Sequence, residues 1–108
     1  MELEPIIARV KSLPVKEIRK ATRDYCEIVL ANAEVAACRK ILEAALGPAF
    51  KEAGAPVTSD VLELTADFGE IVDHQVLFMK KSGNSTILAM LWAWRDDVHT
   101  TLVMGFRH

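Results

Sequence analysis

The chain has 108 residues, of which 51% are hydrophobic and 26% charged, with a formal net charge of −2. These values exclude an intrinsically disordered chain and leave room for one domain, not two with separate cores. The slightly acidic balance also argues against constitutive nucleic-acid binding, whose phosphate contacts need a broad basic face.

Glu2 to Leu13 reads as a short helix, with Pro5 in its first turn and Ile6, Val10 and Leu13 along one side. Ser12-Leu13-Pro14 ends it. Pro14 suits the first turn of a second helix, in which Val15, Ile18, Thr22, Tyr25 and Val29 recur at steps of 3 and 4. The apolar phase continues through Val35, Ala36, Leu42, Ala45 and Leu46 until Gly47-Pro48 stops it. Residues 14–46 form either one helix or two meeting near Asn32, and a rival reading makes Tyr25 to Leu30 a strand.

After Gly54-Ala55-Pro56 the apolar period changes to 2. Leu62, Leu64, Ala66 and Phe68 suggest a strand, with a short helix capped by Ser59 or Asp60 as the alternative. Strands are expected at about 71–80, 86–95 and 98–107, joined by Ser82-Gly83-Asn84-Ser85 and by Asp96-Asp97. The expected fold is α+β: N-terminal helices packed on one face of a three- to four-stranded antiparallel meander sheet. Residues 1–108 form a single domain in this reading, with 1–53 as the helical part and 57–108 as the sheet part.

Two-residue loops at Gly83-Asn84 and Asp96-Asp97 fix the register, with partner numbers adding to 167 across the first hairpin and 193 across the second. One face then carries Val72, His74, Val76, Phe78, Ile87, Ala89, Leu91, Ala93, Val98, Leu102, Met104 and Phe106, and is expected beneath the helices. The other face is mixed. It sets Asp73, Trp94 and His99 in one row, Gln75, Trp92 and Thr101 in the next, and Leu77, Met90 and Val103 beyond. Two tryptophans and a methionine flanked by polar groups have the anatomy of an interface. A loop or the first helix folding across this face would instead make it a second core layer.

Candidate chemistry is sparse. His74 and His99 lie near carboxylates, the minimum for acid–base work, but the register points His74 into the core and sets Asp73 and His99 two strands apart. The sets Asp67, Glu70, His74 and Asp97, His99, His108 contain metal-ligand types without an established spacing, so no metal and no other cofactor is expected. There is no P-loop, GxGxxG or GxSxG motif. Cys26 and Cys38 match no zinc spacing, and on one helix they would lie about 18 Å apart along its axis. They read as reduced buried thiols. No apolar run is long enough for a membrane span and no basic-then-apolar leader opens the chain, so a cytoplasmic location is expected.

Charge is unevenly spread: residues 9–23 hold six basic residues, and residues 52–73 hold six acidic ones and no basic one. Lys16, Arg19, Lys20 and Arg23 would share one side of the second helix, either as a solvated face or as a surface for an acidic partner, anionic lipid, the acidic segment of this or another copy or, least of these, nucleic acid. These readings favour a small interaction or regulatory module without catalytic activity, self-associating as a homodimer through the apolar sheet face or meeting another protein. Its candidate residues are Trp92, Trp94, Met90, Gln75, Asp73, His99 and Thr101. The alternative is a small-molecule or enzymatic pocket on the same face.

Overall fold

Pro5 sits in the first turn of α1 (Glu4–Lys11), which buries Ile6, Ile7 and Val10 and ends where the Ser12 hydroxyl donates to the Arg9 carbonyl at 2.6 Å. The computed structural model describes residues 2–69 and 71–107. The expected second helix is corrected from its first residue. The chain after Pro14 forms a hairpin of β1 (Val15–Ala21) and β2 (Tyr25–Ala31), turned where the Thr22 amide donates to the Tyr25 carbonyl at 2.8 Å.

The helix-like spacing has a specific cause. Val15, Ile18 and Ala21 pair with Leu30, Ile28 and Cys26, while the register slips by one residue between Val15 and Glu17 and again between Ile18 and Lys20. Two bulges thus insert an extra residue each, and the period of 2 becomes an apparent period of 3. β2 adds to the ambiguity because it is an inner strand buried on both faces, and such a strand reads as a continuous apolar run. A 3₁₀ turn at Asn32–Glu34 then leads into α2 (Val35–Leu46), whose buried stripe is Cys38, Ile41, Leu42 and Leu46.

Three more strands complete the sheet: β3 (Val76–Ser82), β4 (Ser85–Ala93) and β5 (His99–Arg107). It has five antiparallel strands in the order β1-β2-β5-β4-β3, where three or four were expected. Both hairpin registers agree with the turn chemistry: Val76 faces Leu91 and Ser82 faces Ser85, while Thr86 faces Arg107 and Ala93 faces Thr100. Gly83 holds the first tight turn with φ +62°, and Asp97 the second with φ +58°.

α1 and α2 cover one face, which bears out the expected helix packing in part, since a third short helix lies over the other. α1 and α2 pack on each other and on Cys26, Ile28 and Leu30 of β2, Val76 and Phe78 of β3, Ile87, Ala89 and Leu91 of β4, and Leu102 and Met104 of β5. Cys26 and Cys38 therefore share this core, on a strand and a helix, and do not lie along one helix. Ala93, Val72 and Val98, assigned to the same face, are exposed at or beyond its margins.

The opposite face has its own buried layer. Residues 52–75 leave the end of α2, cross the sheet and return to β3, carrying α3 (Ser59–Thr65) and a 3₁₀ turn at Ala66–Phe68. Thr58 caps α3, its hydroxyl accepting from the Val61 amide at 3.3 Å, in place of the expected Ser59 or Asp60. The apparent strand at 62–68 is thus helical. Val61 and Thr65 are buried one turn apart, whereas Leu62 and Ala66 are exposed. Val61 and Ile71 join Leu77, Leu88, Met90 and Val103 in a second buried cluster, flanked by Val57, Leu64, Phe68, Tyr25, Met79 and Trp92. Much of the chain's apolar content is consumed there.

Two contacts fix this layer. At its tip, the Phe68 ring stacks on Tyr25 with centroids 6.1 Å apart and planes 10° apart, above Gly105. A Cβ on Gly105 would lie 2.7 Å from the Phe68 ring and 3.0 Å from Tyr25, so only glycine lets the ring reach the sheet. At its neck, Lys51 forms an antiparallel bridge with Leu77 and is only 3% exposed. Lys51 Nζ donates to the carbonyls of Glu52 at 3.1 Å, Asp73 at 2.8 Å and Gln75 at 2.8 Å, which uses all three ammonium protons. The Gly54 amide also donates to the Asp73 carbonyl, at 2.7 Å.

Gly105→Ala is expected to lower the free energy of unfolding by about 1–3 kcal/mol through overpacking, and Phe68→Leu should cost the Gly105→Ala chain less than it costs the parent. Urea titration of the four proteins of that cycle measures both. Lys51→Met, which leaves the Gln75 carbonyl without a donor and takes one of two donors from those of Glu52 and Asp73, is expected to cost about 1–3 kcal/mol. Its hydrogen exchange should rise mainly in residues 52–75, and a uniform rise over the sheet would contradict the role assigned to Lys51.

Candidate functional site

Five of the seven singled-out residues share the second face. Trp92 lies opposite Thr101, and the Trp94 amide donates to the His99 carbonyl at 2.9 Å, so two of the expected cross-strand pairs form. Met90 is fully buried between Leu77 and Val103 in the apolar row. Asp73 and Gln75 do not extend these rows, because the chain is drawn off the sheet before β3 begins at Val76. Their backbone carbonyls serve the Lys51 neck instead, and Gln75 Oε1 accepts from the Val72 amide at 2.8 Å. His74, in the same segment, is exposed and not in the core.

The layer over residues 52–75 divides the face. It buries the β3, β4 and β5 side and reaches β2 at Tyr25, and β1 contributes no residue to its cluster. Trp92 belongs to the covered part; a Cβ on Gly69 would lie 3.4 Å from its ring. Its indole Nε1 is buried without an acceptor among the described residues. Trp94 belongs to the open part. Its Nε1 donates to Thr101 Oγ1 at 2.7 Å, its ring lies 4.7 Å from that of His99, and the Arg19 guanidinium carbon stands 5.3 Å from its centroid.

The four basic residues occupy an edge strand and its turn, not one side of a helix. Arg19 pairs with Glu17 at 2.7 Å while lying over Trp94, and Lys20 Nζ stands 5.5 Å from the Tyr25 centroid. Arg23 turns away to Glu4 of α1, 3.6 Å distant, and Lys16 is exposed in the first bulge. The stripe therefore splits, with Arg19 and Lys20 on the open half-face and Arg23 on the helix side.

Electrostatics here are local. The His99 ring and Asp96 meet at 2.5 Å, and this bond, helped by the Val98 and His99 amides, holds the Asp96 carboxyl down at about 2. Burial, with the Glu27 carboxylate hydrogen-bonded at 2.6 Å, pushes the Tyr25 hydroxyl well above its ordinary value. Burial likewise pushes both thiols up to about 12, which keeps them protonated and unreactive. Of the metal sets, Glu70 and His108 lie outside the described residues. Among the described residues no three His, Cys, Asp or Glu side chains converge.

Open clefts of about 320–390 Å³ flank α1, at the hairpin turn and beside Ala45, and another runs past Phe50 and Pro56. None of them is lined by Trp92, Trp94, His99 or Thr101. No helix among the described residues is long and apolar enough to cross a membrane. Three contributors escape sequence reasoning: Lys51, the Phe68–Gly105 contact and the placement of Arg19 over Trp94. A glycine inside an apolar strand is the one available signal, since it marks a close approach. No family model, curated protein or solved structure matches the chain.

The depressed Asp96 carboxyl contributes stability that is full above the ordinary carboxylate value near 4 and is lost as pH falls through about 2. Asp96→Asn should therefore lower the urea midpoint at pH near 6, and the gap from the parent should close towards pH 2. A gap independent of pH would assign the effect to the backbone hydrogen bonds alone.

Proposed function

We propose that this chain is a non-catalytic protein-interaction module that binds its partner on the open half of the second sheet face, around Trp94. The carrying observation is the divided face: a folded layer seals one half and stops at Tyr25, leaving Trp94 half-exposed beneath Arg19 and beside the charged strand β1. An aromatic anchor with an arginine partner and a polar rim is the usual anatomy of a protein contact. Most of the groups suited to chemistry are engaged in holding structure: His99 with Asp96, Thr101 with Trp94, and Gln75 Oε1 with the Val72 amide, while the exposed Asp73 carboxylate stands off the sheet before β3 begins.

A second reading arises from the Trp92 indole, buried without an acceptor among the described residues. A small molecule with a carboxylate or carbonyl oxygen would satisfy that donor. It would appear in a native mass spectrum as an adduct that Trp92→Phe removes.

The interaction reading is tested by placing a photo-crosslinking amino acid at Lys20, on the open half, and separately at Lys40, exposed on α2, in cells of the source organism. Crosslinks to a polypeptide are expected from position 20 and not from position 40. No polypeptide crosslink from position 20 would overturn the reading.

A further inference from the structure

We infer that the partner is a second copy of this chain, set face to face about a two-fold axis so that the raised 52–75 layer of each protomer fills the open part of the other's face around β1 and Trp94. The inference rests on the interaction-module reading above and names its partner. Shape supports it first. A sheet half covered by a folded layer presents a step, and a two-fold rotation places the raised part of one step over the lowered part of its mate. Such an interface closes on itself with each patch used once.

Charge supports it independently. In sequence, residues 52–73 hold six acidic and no basic residues, five of the acids among the described residues, while residues 15–24 carry four basic residues against two acidic. The two regions do not neutralise each other within one chain. Glu52 pairs with Arg39 and Glu63 with Arg107, whereas Arg19 pairs with Glu17 and Arg23 with Glu4. Asp60, Asp67 and Asp73 are exposed and make no ion pair among the described residues, and the same is true of Lys16 and Lys20. A second copy brings the unpaired acids of one chain to the unpaired lysines of the other, twice.

Such a contact would also cover apolar surface on both sides of the step. Leu62 is 45% exposed and Val72 42%, both on the raised layer, and the half-exposed Trp94 ring lies on the open half. Association by extending the sheet is disfavoured at both edges: β1 carries two bulges and four charged side chains, and β3 is met at Leu77 by the backbone of Phe50 and Lys51 and carries Lys80 and Lys81 beyond. The face, and not the edge, is therefore the surface left to a second copy.

The test uses the full chain and two charge-reversed forms, Lys16→Glu with Lys20→Glu, and Asp60→Lys with Asp67→Lys. Light scattering and native mass spectrometry should find the parent dimeric, its dissociation constant rising with salt. Each reversed form should be monomeric, its dissociation constant raised on the order of 100-fold or more by like charges brought together. Mixed in equal amounts, the two reversed forms should give a one-to-one heterodimer, since the glutamates introduced into one meet the lysines introduced into the other, and the untouched acidic layer of the first meets the untouched basic strand of the second. Recovery on mixing also shows that neither form has lost its fold. A monomeric parent, or reversed forms that remain homodimers, would overturn the inference. A crosslink from position 20 to a different polypeptide would overturn the second copy while leaving the interaction reading in place. No crosslink there would remove both.

Discussion

The three-layer arrangement depends on one buried lysine. Carrying a strand order in which β3 is an edge, the sheet could have left its second face to solvent, and a segment as long as 52–75 would have had little to hold it in place. Lys51 supplies the hold by collecting the carbonyls where the segment leaves and where it returns. A buried ammonium is tolerable only when its donors are met, and three carbonyls meet them without a carboxylate. Closing the neck also shortens the loop that must be ordered, so the apolar contacts of Val61, Phe68 and Ile71 face a smaller entropic cost.

How much of this is legible in the sequence differs by element. The registers of the two C-terminal hairpins are readable to the residue because their turns are chemically explicit, with Gly83 and Asp97 at positive φ, but β3 begins at Val76 and not near residue 71. α1 is readable from Pro5 and the spacing of its apolar residues. The β1–β2 hairpin passes for a helix because bulges at an edge strand imitate a helical period, and bulges leave no distinct mark in composition. α3 passes for a strand because Leu62 and Ala66, which are exposed, fall in step with Leu64 and Phe68, which pack on the sheet.

The candidate face is legible in outline. Trp92 and Trp94 share it, as alternation demands, and their cross-strand partners are those that counting from the turn supplies. What the sequence does not convey is that a layer falls between them, burying the surroundings of Trp92 and stopping short of Trp94. That boundary depends on Gly105, which admits Phe68, and on Tyr25, against which the ring stops. A contact between residues 68 and 105 has no local signature. The same boundary turns one apolar surface into two with different roles, a core for this chain and a surface for a partner.

The Lys51 neck has a consequence for how such a chain can change over generations. Its three bonds go to backbone carbonyls, so the side chains at positions 52 and 73 can vary without removing any of them. Residues between the two sides of the neck can lengthen, shorten or exchange as long as an aromatic ring still reaches Gly105. The sheet and its helices would then act as a fixed frame, while the covering layer becomes the part through which relatives acquire different surfaces and different companions.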